Sequence, residues 1–188
     1  MQVALLLYLI FGILPWGGQA RPPMRASERS AALKTSVCEI LKAPESFDGK
    51  VVTTQARVLM GFESLTLVES GCSGSIWLAY PDEIGHPPDS QRIRVKLIRD
   101  AEFDAFQKAI GAEAEDTPQN PCRGMHCMRY DVRAEIIGRV DYRPTSCKNQ
   151  SSTSNAQVFK CGYGHMGAWD VRFVLEKVSN VVATLRPQ

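Results

Sequence analysis

From Val51 onward, Val52, Thr54, Ala56, Val58 and Met60 alternate with Thr53, Gln55, Arg57 and Leu59. A period of two over that length predicts a strand with one buried face. The clearest alternation is Tyr130 to Tyr142: Tyr130, Val132, Ala134, Ile136 and Val140 point one way, and Asp131, Arg133, Glu135, Arg139 and Asp141 the other. Shorter strands are predicted at "ESLTLVE" (63–69), where Leu65 and Leu67 share a face, and at "IWLAY" (76–80). "RIRVKLI" (92–98) sets Ile93, Val95 and Leu97 against Arg92, Arg94 and Lys96, and a last strand starts near Trp169. Helical signals differ in kind. Ser36 and Glu39 form a capping box ahead of Ile40 and Leu41, which predicts a helix from Val37 to about Ala43, stopped by Pro44. Asp100 can cap a second helix carrying Phe103, Phe106 and Ile110 on one face, ended by Gly111.

Three strands joined by short turns, then a helix, then two more strands make a mainly β chain. That order matches an OB-like five-stranded antiparallel barrel, with an N-terminal helix and a helix between strands three and four. The strand at 92–98 is an addition to that scheme, and a β-sandwich with one helical insertion is the alternative. Residues 36–185 are expected to form a single OB-like domain.

The amino terminus changes the setting. "MQVALLLYLIFGILPWGGQA" has an apolar run from Val3 to Leu14, a Pro-Trp-Gly-Gly break and small residues up to Ala20. This pattern predicts a signal peptide over residues 1–20, too short to span a bilayer, since spanning takes about 20 apolar residues. Residues 21–35 read as a flexible leader, so the mature protein is expected outside the cytosol, secreted or periplasmic, with no transmembrane segment. All six cysteines, Cys38, Cys72, Cys122, Cys127, Cys147 and Cys161, follow the cleavage point. An even count in an exported chain suggests three disulfides, for which sequence allows fifteen pairings. Cys38–Cys72, Cys147–Cys161 and Cys122–Cys127 are the expected ones. Net charge is +2 with acids and bases mixed, so bulk electrostatics does not select nucleic acid.

Candidate chemistry is sparse. "KCGYGHMGAWDVRF" (160–173) places His165 among Gly162, Gly164 and Gly167, beside Cys161 and ahead of the last strand. An imidazole titrates near neutrality and can serve as a general base or metal ligand. Alternatively the ring fixes a tight turn that glycines make possible, and this is preferred because no Ser, Asp or Glu sits at a spacing that would use it. "CRGMHC" brings Cys122, His126 and Cys127 together, but the spacing is no known zinc pair, and no metal or cofactor is expected. Arg92, Arg94 and Lys96, with Phe62, Trp77, Tyr80 and Tyr142, supply the charged and stacking groups that OB surfaces use. The structural alternative is that the charges protect an edge strand and that Trp77 is core. No GxSxG, HExxH, P-loop or GxGxxG motif is present.

The segments "SVCEILKAPESFDGKVVTTQARVLMGFESLTL", "CSGSIWLAYPD", "IIGRVDY" and "GYGHMGAWDVRFVLEKVSNV" resemble a group of uncharacterised exported bacterial proteins with an OB-like core. VCEIL, FDGK and GYGH are the most specific parts. The resemblance implies bacterial origin and membership, and no activity. Together these features lead us to expect an exported, disulfide-stabilised, non-enzymatic binding module for a protein, glycan or oligonucleotide. A metal-dependent or His-based hydrolase using His165 is one alternative. A netrin-like protein inhibitor is another, although the mature end lacks the Cys-x-Cys of those inhibitors.

Overall fold

A computed structural model of the chain describes residues 32–61, 63–84, 94–113, 128–144 and 162–186. All of these lie in one compact unit, Ala31–Gln188. Both helices begin where their capping residues put them. The Glu39 N–H donates to Ser36 Oγ at 3.0 Å and the Ser36 N–H to Glu39 Oε2 at 3.0 Å, which starts α1 (Val37–Lys42). Hydrogen bonds from Thr35 and Ser36 hold the Glu39 carboxyl below its ordinary range. The Phe103 N–H donates to Asp100 Oδ1 at 3.0 Å and starts α2 (Ala101–Ile110). Phe103, Phe106 and Ile110 are all buried, as their spacing predicts. Each contributes about 1.5–3 kcal/mol of transfer free energy.

The strands are β1 (Leu33–Lys34), β2 (Val51–Gly61), β3 (Ser64–Val68), β4 (Ile76–Ala79), β5 (Tyr130–Tyr142) and β6 (Val171–Leu185). They form one mixed sheet in the order β1-β2-β3-β4-β6-β5, and β2 also pairs with β5. Inner positions of β2, β5 and β6, such as Val52, Val58, Val132, Ile136, Phe173 and Leu175, meet α2 in a continuous apolar core.

Four expectations need correcting. The sheet has six strands and is not wholly antiparallel, because β4 pairs in parallel with β6 and β1 in parallel with β2. Parallel neighbours need a long crossover, and the chain between β4 and β6 contains α2 and β5. Leu33–Lys34 lies within the segment read as leader, yet it pairs with Val52–Thr53. Residues 94–99 form no strand. Their alternation is satisfied instead by draping: Arg94 and Lys96 face solvent, Leu97 packs on the core, and the Ile98 N–H reaches the Glu176 carbonyl at 2.7 Å. Finally, Arg139 and Asp141 of β5 do not face water but are buried, as is Arg172 of β6. Both faces of the sheet are covered at that end, so alternation there separates two buried environments.

Cys38 and Cys72 are joined as expected, tying α1 to the β3–β4 connection with Cα atoms 5.5 Å apart. Cys122, Cys127, Cys147 and Cys161 lie outside the described residues, as does the predicted signal peptide.

Candidate functional site

The glycine-rich stretch before β6 folds back on itself. Tyr163 and Trp169 form an antiparallel bridge, with the Tyr163 N–H on the Trp169 carbonyl at 2.7 Å and the reverse bond at 3.2 Å. Between them His165–Gly167 makes a single 3-10 turn. Gly162, Gly164 and Gly167 have φ of 68°, 72° and 71°, the left-handed region that glycine enters without a Cβ penalty. At Gly164 the need is double, because a Cβ there would stand 2.5 Å from the Trp169 ring and 3.4 Å from that of Trp77. The Trp169 indole N–H is fixed in turn on Ser75 Oγ at 3.0 Å. Two indoles therefore clamp Gly164 and set the direction in which the next residue leaves.

That residue is His165. Its Nδ1 donates to Glu63 Oε2 at 2.7 Å, and both side chains are about half exposed. Glu63 sits in the β2–β3 turn at φ 51°, so the bond links two loops far apart in sequence. A carboxylate on Nδ1 fixes the imidazole's orientation and tautomer, the arrangement that tunes a histidine for proton transfer or ligation. Next to it Met166 holds φ 55° and is 87% exposed. A left-handed non-glycine residue costs on the order of 1–2 kcal/mol, and such strain concentrates at functional positions.

Below the turn lies an ionic cluster. Asp141 is fully buried and receives Arg139 Nε at 2.7 Å and Nη2 at 3.0 Å. Arg172 donates to the same carboxylate through Nε at 3.0 Å and Nη2 at 2.5 Å. Burial alone would raise the Asp141 carboxyl, but the hydrogen bonds and charges of the two arginines outweigh it and hold the group below its ordinary value. The Tyr163 ring lies over Arg172 at 4.4 Å, with Arg143 5.2 Å from the same ring. The cluster thus anchors the turn that carries His165.

The other sequence candidates separate. Trp77 is half-buried under Gly164 and so is no open stacking platform. Tyr80 wedges against α2: its hydroxyl accepts from Gln107 Nε2 at 2.5 Å and its ring meets Phe103 edge-on at 6.2 Å. Burial raises its phenol above the ordinary value. Tyr142 packs at the rim of the core, its N–H on Asp48 Oδ1 at 2.7 Å. Arg94 and Lys96 are exposed and make no hydrogen bond or ion pair among the described residues. Phe62 and Arg92 lie outside the described residues, as does His126. Among the described residues no group of three or more His, Cys, Asp and Glu side chains could hold a metal. No described helix is long and apolar enough to cross a membrane.

Sequence reasoning missed Glu63, Trp169 and the buried Arg–Asp–Arg cluster. No protein-family model matches the chain, and neither a curated protein nor a solved structure is similar enough to match it.

Proposed function

We propose that this is an exported OB-type domain whose five longer strands close as a barrel. Its task is to bind a protein partner at the surface where the β2–β3 turn meets the entry to β6. Several features support the barrel: the pairings β2–β3, β3–β4, β4–β6, β6–β5 and β5–β2 return to their start, and α2 lies between β4 and β5. The Cys38–Cys72 disulfide supports export, since such bonds persist in oxidising compartments. One observation carries the binding role. The Glu63–His165 bond joins two loops into a single rigid rim, and this rim presents an apolar, backbone-strained Met166 to solvent. Methionine adapts to irregular apolar surfaces, which favours a protein over a glycan or nucleic acid.

The test is a pull-down with the mature chain, run beside glycan and oligonucleotide arrays. Capture of a partner by the native chain, lost in both Met166→Ser and His165→Ala, is the expected result. Binding to a glycan or oligonucleotide array alone would replace the protein assignment. Ester or peptide hydrolysis that disappears in His165→Ala would instead assign the imidazole–carboxylate pair to catalysis.

A further inference from the structure

At the other end of the β2–β3 hairpin from Glu63, a cleft of about 590 Å3 opens across β2, β5 and β6. Its shape follows from an irregularity in the sheet. Arg133 pairs with Val182 and Glu135 with Ser179, so β6 carries one extra residue there, and Asn180 takes up φ 54°. A bulge bends its strand and increases the local twist, which hollows the sheet surface. The floor is the backbone at the cross-strand pair of Ala56 and Ala134, whose own side chains turn into the core on the other face of the sheet.

The charges on its walls are ordered. Arg57 and Arg133 stand directly opposite each other on β2 and β5, an unfavourable placement for like charges. They share one carboxylate: Arg57 Nε bonds Asp131 Oδ1, and Arg133 Nε lies 3.6 Å from Oδ2 of the same residue. This row therefore holds one more positive charge than it neutralises. One outward position along β5, Glu135 faces Gln55, and its carboxylate accepts the Ser179 hydroxyl at 3.2 Å. Glu69 also lines the cleft, but its carboxylate accepts the Cys38 N–H at 3.1 Å in the first turn of α1. The cleft thus has a positive end and a negative end, roughly 6.6–6.8 Å apart by the strand repeat.

A simple anion would meet Glu69 and Glu135, and a simple cation would meet the arginines. A ligand charged oppositely at its two ends satisfies both. At roughly 3.3–3.6 Å per extended residue, two residues span the gap. The volume also falls within the range of small-ligand sites, about 300–1,000 Å3. We propose that this cleft binds a short zwitterionic peptide, with its carboxylate on Arg57 and Arg133 and its ammonium at Glu135. The neutral polar groups of Gln55, Ser70 and Asn180 serve the peptide bond between them.

The experiment titrates the full-length chain with Ala-Ala, N-acetyl-Ala-Ala, Ala-Ala amide and sodium acetate, following backbone amide resonances. Ala-Ala is expected to shift the amides of Arg133, Glu135 and Asn180. Blocking either end should weaken binding by about tenfold or more, the usual loss for a hydrogen bond to a charged group. Arg133→Gln should erase the penalty for amidation, and Glu135→Gln the penalty for acetylation. Three results overturn the proposal: no shifts up to the solubility of Ala-Ala, equal affinity for free and blocked peptides, or acetate alone reproducing the Ala-Ala response. The blocked peptides test the unmodified chain, so the outcome does not depend on any variant folding.

Discussion

At one end of β5, Asp131 receives Arg57 and Arg133 at the protein surface; at the other, Asp141 receives Arg139 and Arg172 in the interior. The residue types are the same and the strand is the same. Their surroundings are not: Arg133 is 70% exposed, whereas Asp141 is 0% exposed. An exposed pair gains little against water, entropy and salt, about 0–1 kcal/mol. A buried carboxylate between two guanidiniums cannot be removed so cheaply, because its partners would remain in the interior uncompensated. One cluster is free to exchange its partners for a ligand, and the other holds structure together.

The largest expected effect comes from breaking the interior cluster. Asp141→Asn should destabilise the fold by about 3–5 kcal/mol, the usual result of removing one member of a buried ion group. Asp131→Asn should cost about 0–1 kcal/mol in the same denaturant titration. Comparable losses from both would mean that burial does not set the difference.

Second comes the boundary between the two ends. Gly138 lies at a register shift in β5, and a Cβ there would collide with the Val174 carbonyl oxygen and the Phe173 ring. Gly138→Ala should destabilise by about 1–3 kcal/mol through overpacking. The change should also loosen Tyr163 from Arg172, which near-ultraviolet circular dichroism would report.

Acid provides a third measurement. The folded Asp141 carboxyl is depressed, so its contribution is present above the unfolded value and is lost as pH falls through the lower, folded value. Stability should therefore decline with acidification below about pH 4, the ordinary aspartate range. Asp141→Asn should flatten that decline while lowering stability at neutral pH. A decline of equal steepness in the variant would assign the acid response to other carboxylates.

The smallest expected effect is that of Arg133→Gln, which should change stability by no more than about 0.5 kcal/mol, as for an ordinary surface substitution. A larger loss would show that the exposed cluster also holds structure.

This contrast also marks the reach of sequence reasoning. The whole length of β5 was legible, from Tyr130 to Tyr142, because alternation reports local extended geometry. Alternation could not say which polar residues would be covered, since Arg133 and Arg139 occupy equivalent positions in the pattern. Arg139 instead shares the buried Asp141 carboxylate with Arg172 of β6, which Tyr163 covers, and Arg172 lies far from Arg139 and Asp141 in the chain. Residues 94–99 show the converse. Their pattern suits a strand, but β4 already pairs with β6 over Arg172–Val174, and the segment is held instead by Leu97 on the core and the Ile98 N–H on the Glu176 carbonyl. Both helices were legible because a cap is a contact within four residues. For the same reason His165 was visible as a candidate, while its partner Glu63 was not.

The parallel pairing of β4 with β6 has a consequence for how the chain reaches this state. Trp77 must find Arg172 and Leu78 must find Phe173 across most of the domain's length, whereas β2 and β3 meet through a turn of two residues. Contacts of such high sequence separation form slowly, because loop entropy is lost before the pairing returns anything. During synthesis the free side of β4 stands open until the last strand emerges. Premature aggregation should therefore begin at Ile76–Ala79, and a chain truncated before Val171 should collect in that form.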